Sequence, residues 1–265
     1  MQTAVLAVAD MAVYNRVLTL TYLAHRSINQ LQGMFLVLLL ALLLAFVEIG
    51  DIPLVGHIGL TPVLLVCVYV FAVFTFTHYQ KNSQWQALDT PDQKHDLVQH
   101  DAYYIDSDTN TKKLIYHAVA SSVIILLAGV LLVWTAEAIA IQSGLGSSLI
   151  GATLLAASTS LPELSTTIAA VRLGAHSMAI SNIFGSNLLM VFLLLPSDLF
   201  FRDGLLLDSV DGSAQFALIA GIVVTAAYLI GLILRQPKRI LGMGLDSWFV
   251  LLFYMASVFV FYQLR

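Results

Sequence analysis

Oxygen-bearing side chains gather inside one long apolar stretch, LIGATLLAASTSLPELSTTIAAV (149–171), and in the run that follows, AISNIFGSNLLMVFLLL (179–195). Glu163 stands in the middle of the first. A carboxylate that deep in a membrane helix costs from about 2.5 kcal/mol upward, so it is rare without a function. Pro162 precedes it. Its nitrogen has no proton for the carbonyl of Ser158 and its ring crowds that turn, so the helix is expected to break there. Carbonyls freed by the break would face the same region as the Ser160 hydroxyl and the Glu163 carboxylate. Ala156, Ser160, Glu163 and Thr167 fall at helical spacing on one face. On the next run Asn182 and Ser186 are four apart, and Gly185 permits close helix approach. Carboxylate, hydroxyl and carbonyl oxygens suit a hard cation such as calcium or sodium, not zinc or copper. The structural alternative is a kinked helix whose Ser and Thr only hold helices together. Glu163 favours the site.

The elements that must position these groups are membrane helices. The chain has 265 residues, 59% of them apolar and 11% charged, and its mean hydropathy is +0.87. Soluble domains carry roughly 45–50% apolar and about 25% charged residues. A net charge of -4 argues against a nucleic-acid partner. Cys67 is the single cysteine, so an internal disulfide is excluded. The opening MQTAVLAVADMAVYNR lacks a basic start and is interrupted by Asp10, so a cleavable leader is not expected.

Runs long enough to cross a bilayer lie at about 33–49, 60–78, 114–141, 146–171, 177–200, 214–234 and 245–263, with a shorter one at 3–14. Their continuity excludes barrel strands. Residues 80–113 are polar and form a loop. If the loop lies on side A, ten of the twelve Lys and Arg residues fall there, and only Arg202 and Arg265 fall opposite. Side A is therefore expected to be cytoplasmic.

Two parts of the chain resemble each other. AVLAVADMAVY (4–14) matches FLLLPSDLFFR (192–202), with Asp10 over Asp198, and at the same offset Gly33 meets Gly221. Slightly shifted, GLTPVLLVCVYVFAV (59–73) meets GLDSWFVLLFYMASV (244–258). The shared order and spacing suggest a repeat. The matched helices lie five spans apart and so cross in opposite directions, an inverted repeat of the kind that places an ion site near the midplane of secondary transporters. Residues 114–188 have no partner upstream, which suggests that the first repeat begins before Met1. The expected organisation is 1–79, the remainder of a first repeat; 80–113, a cytoplasmic loop; and 114–265, a complete second five-helix repeat.

Thr-Ser-Leu-Pro-Glu-Leu (159–164) followed by Gly-Ser-Asn (185–187) resembles the alpha-repeat of the sodium/calcium exchanger branch of the calcium/cation antiporters. The likeness is densest over about 146–200. It implies an all-α integral membrane protein with the inverted-repeat exchanger fold, here lacking the start of its first half, in a prokaryotic plasma (inner) membrane. It also implies a non-enzymatic antiporter without a cofactor, exchanging calcium or a related cation for sodium or protons. The family's ligands map onto the Ala156 and Thr159 carbonyl region, Ser160, Glu163 and Ser186. Ser158 and Ser181 stand where the family has glycine, and Met190 where it has Asn or Asp. On the repeat alignment, Gln2 takes the place of Met190 and keeps a polar oxygen there. The first repeat's own Pro-Glu motif is absent from the chain.

Other polar residues have plainer roles. Glu137, the second candidate carboxylate for an ion, and Glu48 lie toward span ends and are expected at the interface. Asp10 and Asp198 are expected to be structural. His95, Asp96, His100 and Asp101 belong to a solvated charged loop. His-Glu-x-x-His and Gly-x-Ser-x-Gly patterns are missing, which argues against a hydrolase. The partners implied are the bilayer and small cations, with either the missing N-terminal part or a homodimer sharing one ion between two copies of Glu163. The rival reading is a non-transporting membrane subunit that retains the exchanger fold.

Overall fold

A segment surrounded by lipid must bond its own backbone, so long apolar runs become helices. The computed structural model describes residues 2–13, 18–24, 26–82, 111–144, 150–202 and 204–263. In chain order these form α1 (Gln2–Met11), α2 (Leu20–Leu23), α3 (Ser27–Ile49), strands β1 (Pro53–Val55) and β2 (Ile58–Gly59), α4 (Leu60–Asn82) and α5 (Thr111–Ser143). A π-helical turn at Gly151–Leu155 leads into α6 (Ala156–Thr159), α7 (Leu161–Arg172), α8 (His176–Phe192) and α9 (Leu194–Phe200). A 3-10 turn at Leu206–Ser209 precedes α10 (Gly212–Leu234), strands β3 (Arg239–Ile240) and β4 (Met243–Gly244), and α11 (Leu245–Gln263).

Six helical stretches among the described residues are long and apolar enough to cross a membrane: Ser27–Ile49, Leu60–Gln80, Ile115–Ser143, His176–Phe200, Gly212–Leu234 and Leu245–Gln263. The protein is thus an all-α integral membrane protein. The run at 146–171 is divided by the expected break, at Ser160 beside Pro162, and also by the π turn, so no piece of it is among the six.

The core gathers around the short first helix. Gln2 to Ala7, Ala9 and Asp10 of α1 are all buried, and α1 packs on α7, α8, α10 and α11. Around it, Leu36 and Leu39 of α3, Ile183 and Phe184 of α8 and Tyr228 of α10 are almost wholly enclosed. Gly33 lets α3 approach: a Cβ there would lie 3.1 Å from a Leu229 methyl and 3.2 Å from the Phe184 ring. By contrast α5 exposes a long series of apolar side chains, from Ile115 to Ile141, as a lipid-facing helix does.

Each two-stranded hairpin sits at the head of a long helix, β1–β2 before α4 and β3–β4 before α11. A buried aspartate holds each one. Asp198 Oδ2 accepts from the Gly59 N–H at 2.8 Å and its Oδ1 from the Leu206 N–H at 3.3 Å. Asp10 Oδ2 accepts from the Gly244 N–H at 2.7 Å and from Ser247 at 3.0 Å, and its Oδ1 from the Leu20 N–H at 2.7 Å. Both carboxylates are fully enclosed, and with two or three donors each they have the bonds a buried charge requires. Each aspartate spans the chain: Asp10 near its start grips the last hairpin, and Asp198 grips the first.

Candidate ion-binding site

The break in the 150–172 segment is local chemistry made visible. Ser160 closes α6 and opens α7 with φ -88 and ψ -2, and Pro162 occupies the first turn of α7, where its missing N–H costs nothing. Glu163 therefore lands in the first turn of a helix. The unbonded N–H groups and positive dipole end there favour a negative charge.

The Ala156 carbonyl is not open, as the sequence suggested. It accepts from the Ser160 N–H at 3.1 Å, the Ser160 hydroxyl at 2.7 Å and the Thr159 hydroxyl at 3.2 Å. Thr159 is exposed and also donates back to the Leu155 carbonyl. Ser160 is 3% exposed. Because its proton is committed to Ala156, its oxygen lone pairs remain for another partner.

Three helices meet at the carboxylate. Gln2 of α1 donates from Nε2 to Glu163 Oε1 at 3.1 Å, and its own Oε1 accepts from the Ser186 hydroxyl of α8 at 2.9 Å. One buried amide thus bridges Glu163 and Ser186. Beside it, Asn182 of α8 donates to the hydroxyls of Thr166 at 3.0 Å and Thr167 at 3.3 Å on α7. Thr166 in turn donates to the Pro162 and Glu163 carbonyls, so the proline turn is braced from outside. Repeat alignment pointed to Gln2 as a polar oxygen, not as the donor to Glu163. Thr166 was missed; its three-residue spacing from Glu163 was the available signal.

A cavity of about 340 Å³ lies among α1, α3, α8, α10 and α11. Its polar lining includes Thr3, Asn187, Thr225, Tyr254 and Ser257, and Met190 and Gly221 also face it. The Asn187 amide nitrogen is buried without a partner, and the Thr3 and Thr225 hydroxyls bond to each other at 3.3 Å. Glu48 and Glu137 are exposed on α3 and α5. His95, Asp96, His100 and Asp101 lie outside the described residues. Among the described residues no three His, Cys, Asp or Glu side chains cluster to hold a metal; the site offers one carboxylate among neutral oxygens.

Apolar helices, a proline-broken segment and a half-buried carboxylate bonded from α1, and through it to α8, define a membrane protein built around a polar centre. The sequence profile described as sodium/calcium exchanger protein matches residues 113–263, more than half of the chain. The chain belongs to the sodium/calcium exchanger family. It is similar to the sodium/calcium exchanger MaX1 of Methanosarcina acetivorans, 48% identical over 52 residues that cover 20% of this chain and 15% of that protein. It is also similar to the putative antiporter CaxA of Alkalimonas amylolytica, 31% identical over 117 residues, 44% of this chain and 36% of CaxA. The inner membrane protein YrbG of Escherichia coli is 30% identical over 114 residues, 42% of this chain and 35% of YrbG. The matched region spans little more than a third of these relatives at most. No solved structure matches the chain.

Proposed function

We propose that the protein is a secondary active antiporter that exchanges calcium or a related cation for sodium or protons. Glu163 carries the charge that holds the ion. Ser160, Ser186 and Gln2 supply neutral oxygens, and the Ala156–Thr159 turn shapes the wall. The observation that carries this reading is the Glu163 carboxylate at a helix break inside an apolar bundle, bonded through Gln2 to Ser186. A purely structural polar contact would not need a charge there, given its cost. Movement of the broken segment against the rest would open the site to each side in turn. The two aspartates, each gripping the hairpin of the other half, support an inverted two-fold arrangement. The names of the relatives, exchanger and antiporter, point the same way.

Calcium prefers six to eight oxygens, and Met190 offers a sulfur, which does not serve calcium. Affinity for calcium is therefore expected to be low. The test is flux into proteoliposomes against imposed sodium and proton gradients. Gradient-driven cation movement that disappears in Glu163→Gln supports the antiporter. Its absence under every gradient favours a non-transporting subunit.

A further inference from the structure

We infer that Gln2 is a switching ligand: its side-chain amide faces Glu163 with the nitrogen when the site is empty and with the oxygen when a cation is bound. This rests on Glu163 being the cation site.

The two ends of the amide have opposite chemistry, and the structure commits both. Nε2 meets Glu163 Oε1 at 3.1 Å, and Oε1 meets the Ser186 hydroxyl at 2.9 Å. An ionised carboxylate only accepts hydrogen bonds, so an empty site fixes this orientation. A cation on Glu163 reverses the demand. It repels the positively polarised N–H, and the carbonyl is the oxygen Gln2 can offer. Exchanging the ends requires a half-turn about the last side-chain torsion, which in glutamine is broad and roughly two-fold. The backbone of α1 need not move, although Gln2 is only 8% exposed.

Ser186 makes the exchange inexpensive. A hydroxyl both donates and accepts. After the turn Ser186 accepts from Nε2, while its proton goes to the Ile183 carbonyl, already 3.2 Å away. The polar atoms of Gln2 and Ser186 keep partners in both states, and the carboxylate is never bare. In the empty state the bridge ties α1 to α7 and α8 through a neutral group. In the occupied state the ion takes over that tie.

Infrared difference spectroscopy on the purified protein in nanodiscs tests this directly. Adding sodium chloride or calcium chloride should shift a glutamine side-chain carbonyl band. That band should be absent in Gln2→Met, which keeps the length without the amide. Loss of the ligand oxygen should weaken cation binding by about 10-fold or more, the usual scale for groups that support a metal ligand. Gln2→Glu serves if the methionine variant fails to fold: it too lacks the amide, so the glutamine carbonyl band should be absent from its difference spectrum. Difference spectra of either variant identical to the parent's, or undiminished affinity in Gln2→Met, overturn the switch and leave Glu163 as the site. Undiminished cation binding in Glu163→Gln removes the site itself, and the switch with it.

Discussion

Two features of its surroundings favour the Glu163 carboxylate in an apolar bundle. The first turn of α7 supplies the positive end of a helix dipole, and Gln2 supplies a directed donor. The same logic gives Ser186 a measurable role. Its hydroxyl is the partner of the Gln2 carbonyl, and removing it leaves a buried acceptor unsatisfied. Ser186→Ala should destabilise the protein by about 1–3 kcal/mol and weaken cation binding, read from thermal unfolding with and without added sodium. Unchanged melting and binding would show that the amide does not depend on Ser186. Glu163, Ser160 and Ser186 were legible in the sequence because polar atoms in an apolar run stand out. Gln2 was legible only through the repeat, since a single glutamine beside an apolar run carries no pattern of its own. The occupation of the Ala156 carbonyl was not legible, because hydroxyls of Ser and Thr turn back on their own helix as readily as they face a ligand.

Among the elements, the broken segment and the two hairpins carry the architecture. Pro162 predicted the break, but the π turn at Gly151–Leu155 ahead of it had no signal in the residue pattern. Pro162→Ala returns an N–H donor to the turn. It should let α6 and α7 join into one helix, lowering cation flux at least about tenfold without lowering the melting temperature, since alanine is the better helix residue. Full flux would mean that the break is not needed. The hairpins depend on their aspartates. Asp198→Ala strips the Gly59 and Leu206 N–H groups of their acceptor, and Asp10→Ala does the same to Gly244 and Leu20. A loss of about 1–3 kcal/mol for each orphaned buried group should appear as a clear drop in melting temperature in either variant. No drop in both would contradict a gripping role. Sequence symmetry paired these two aspartates, yet their reach to the opposite hairpin needed three dimensions, because linear spacing does not reveal which distant backbone a carboxylate meets.

Across the whole molecule, the expected alternation of spans places ten of the twelve basic residues on the side of the 80–113 loop, which predicts that side to be cytoplasmic. Most of that loop is outside the described residues, so its side is tested in cells. In a Cys67→Ala background, Ser107→Cys should resist a membrane-impermeant thiol reagent applied to intact cells and react once they are opened. Labelling in intact cells would turn the topology over. Family membership, all-α architecture and the carboxylate at a helix break support one proposal, that Glu163 binds a transported cation. The most direct measurement is gradient-driven cation uptake into proteoliposomes, made with the parent chain and with Glu163→Gln at equal reconstitution. The substitution keeps the shape of the side chain and removes its charge. Saturable uptake by the parent that falls to the level of empty liposomes in the variant is the predicted result, and uptake undiminished in Glu163→Gln would contradict the account.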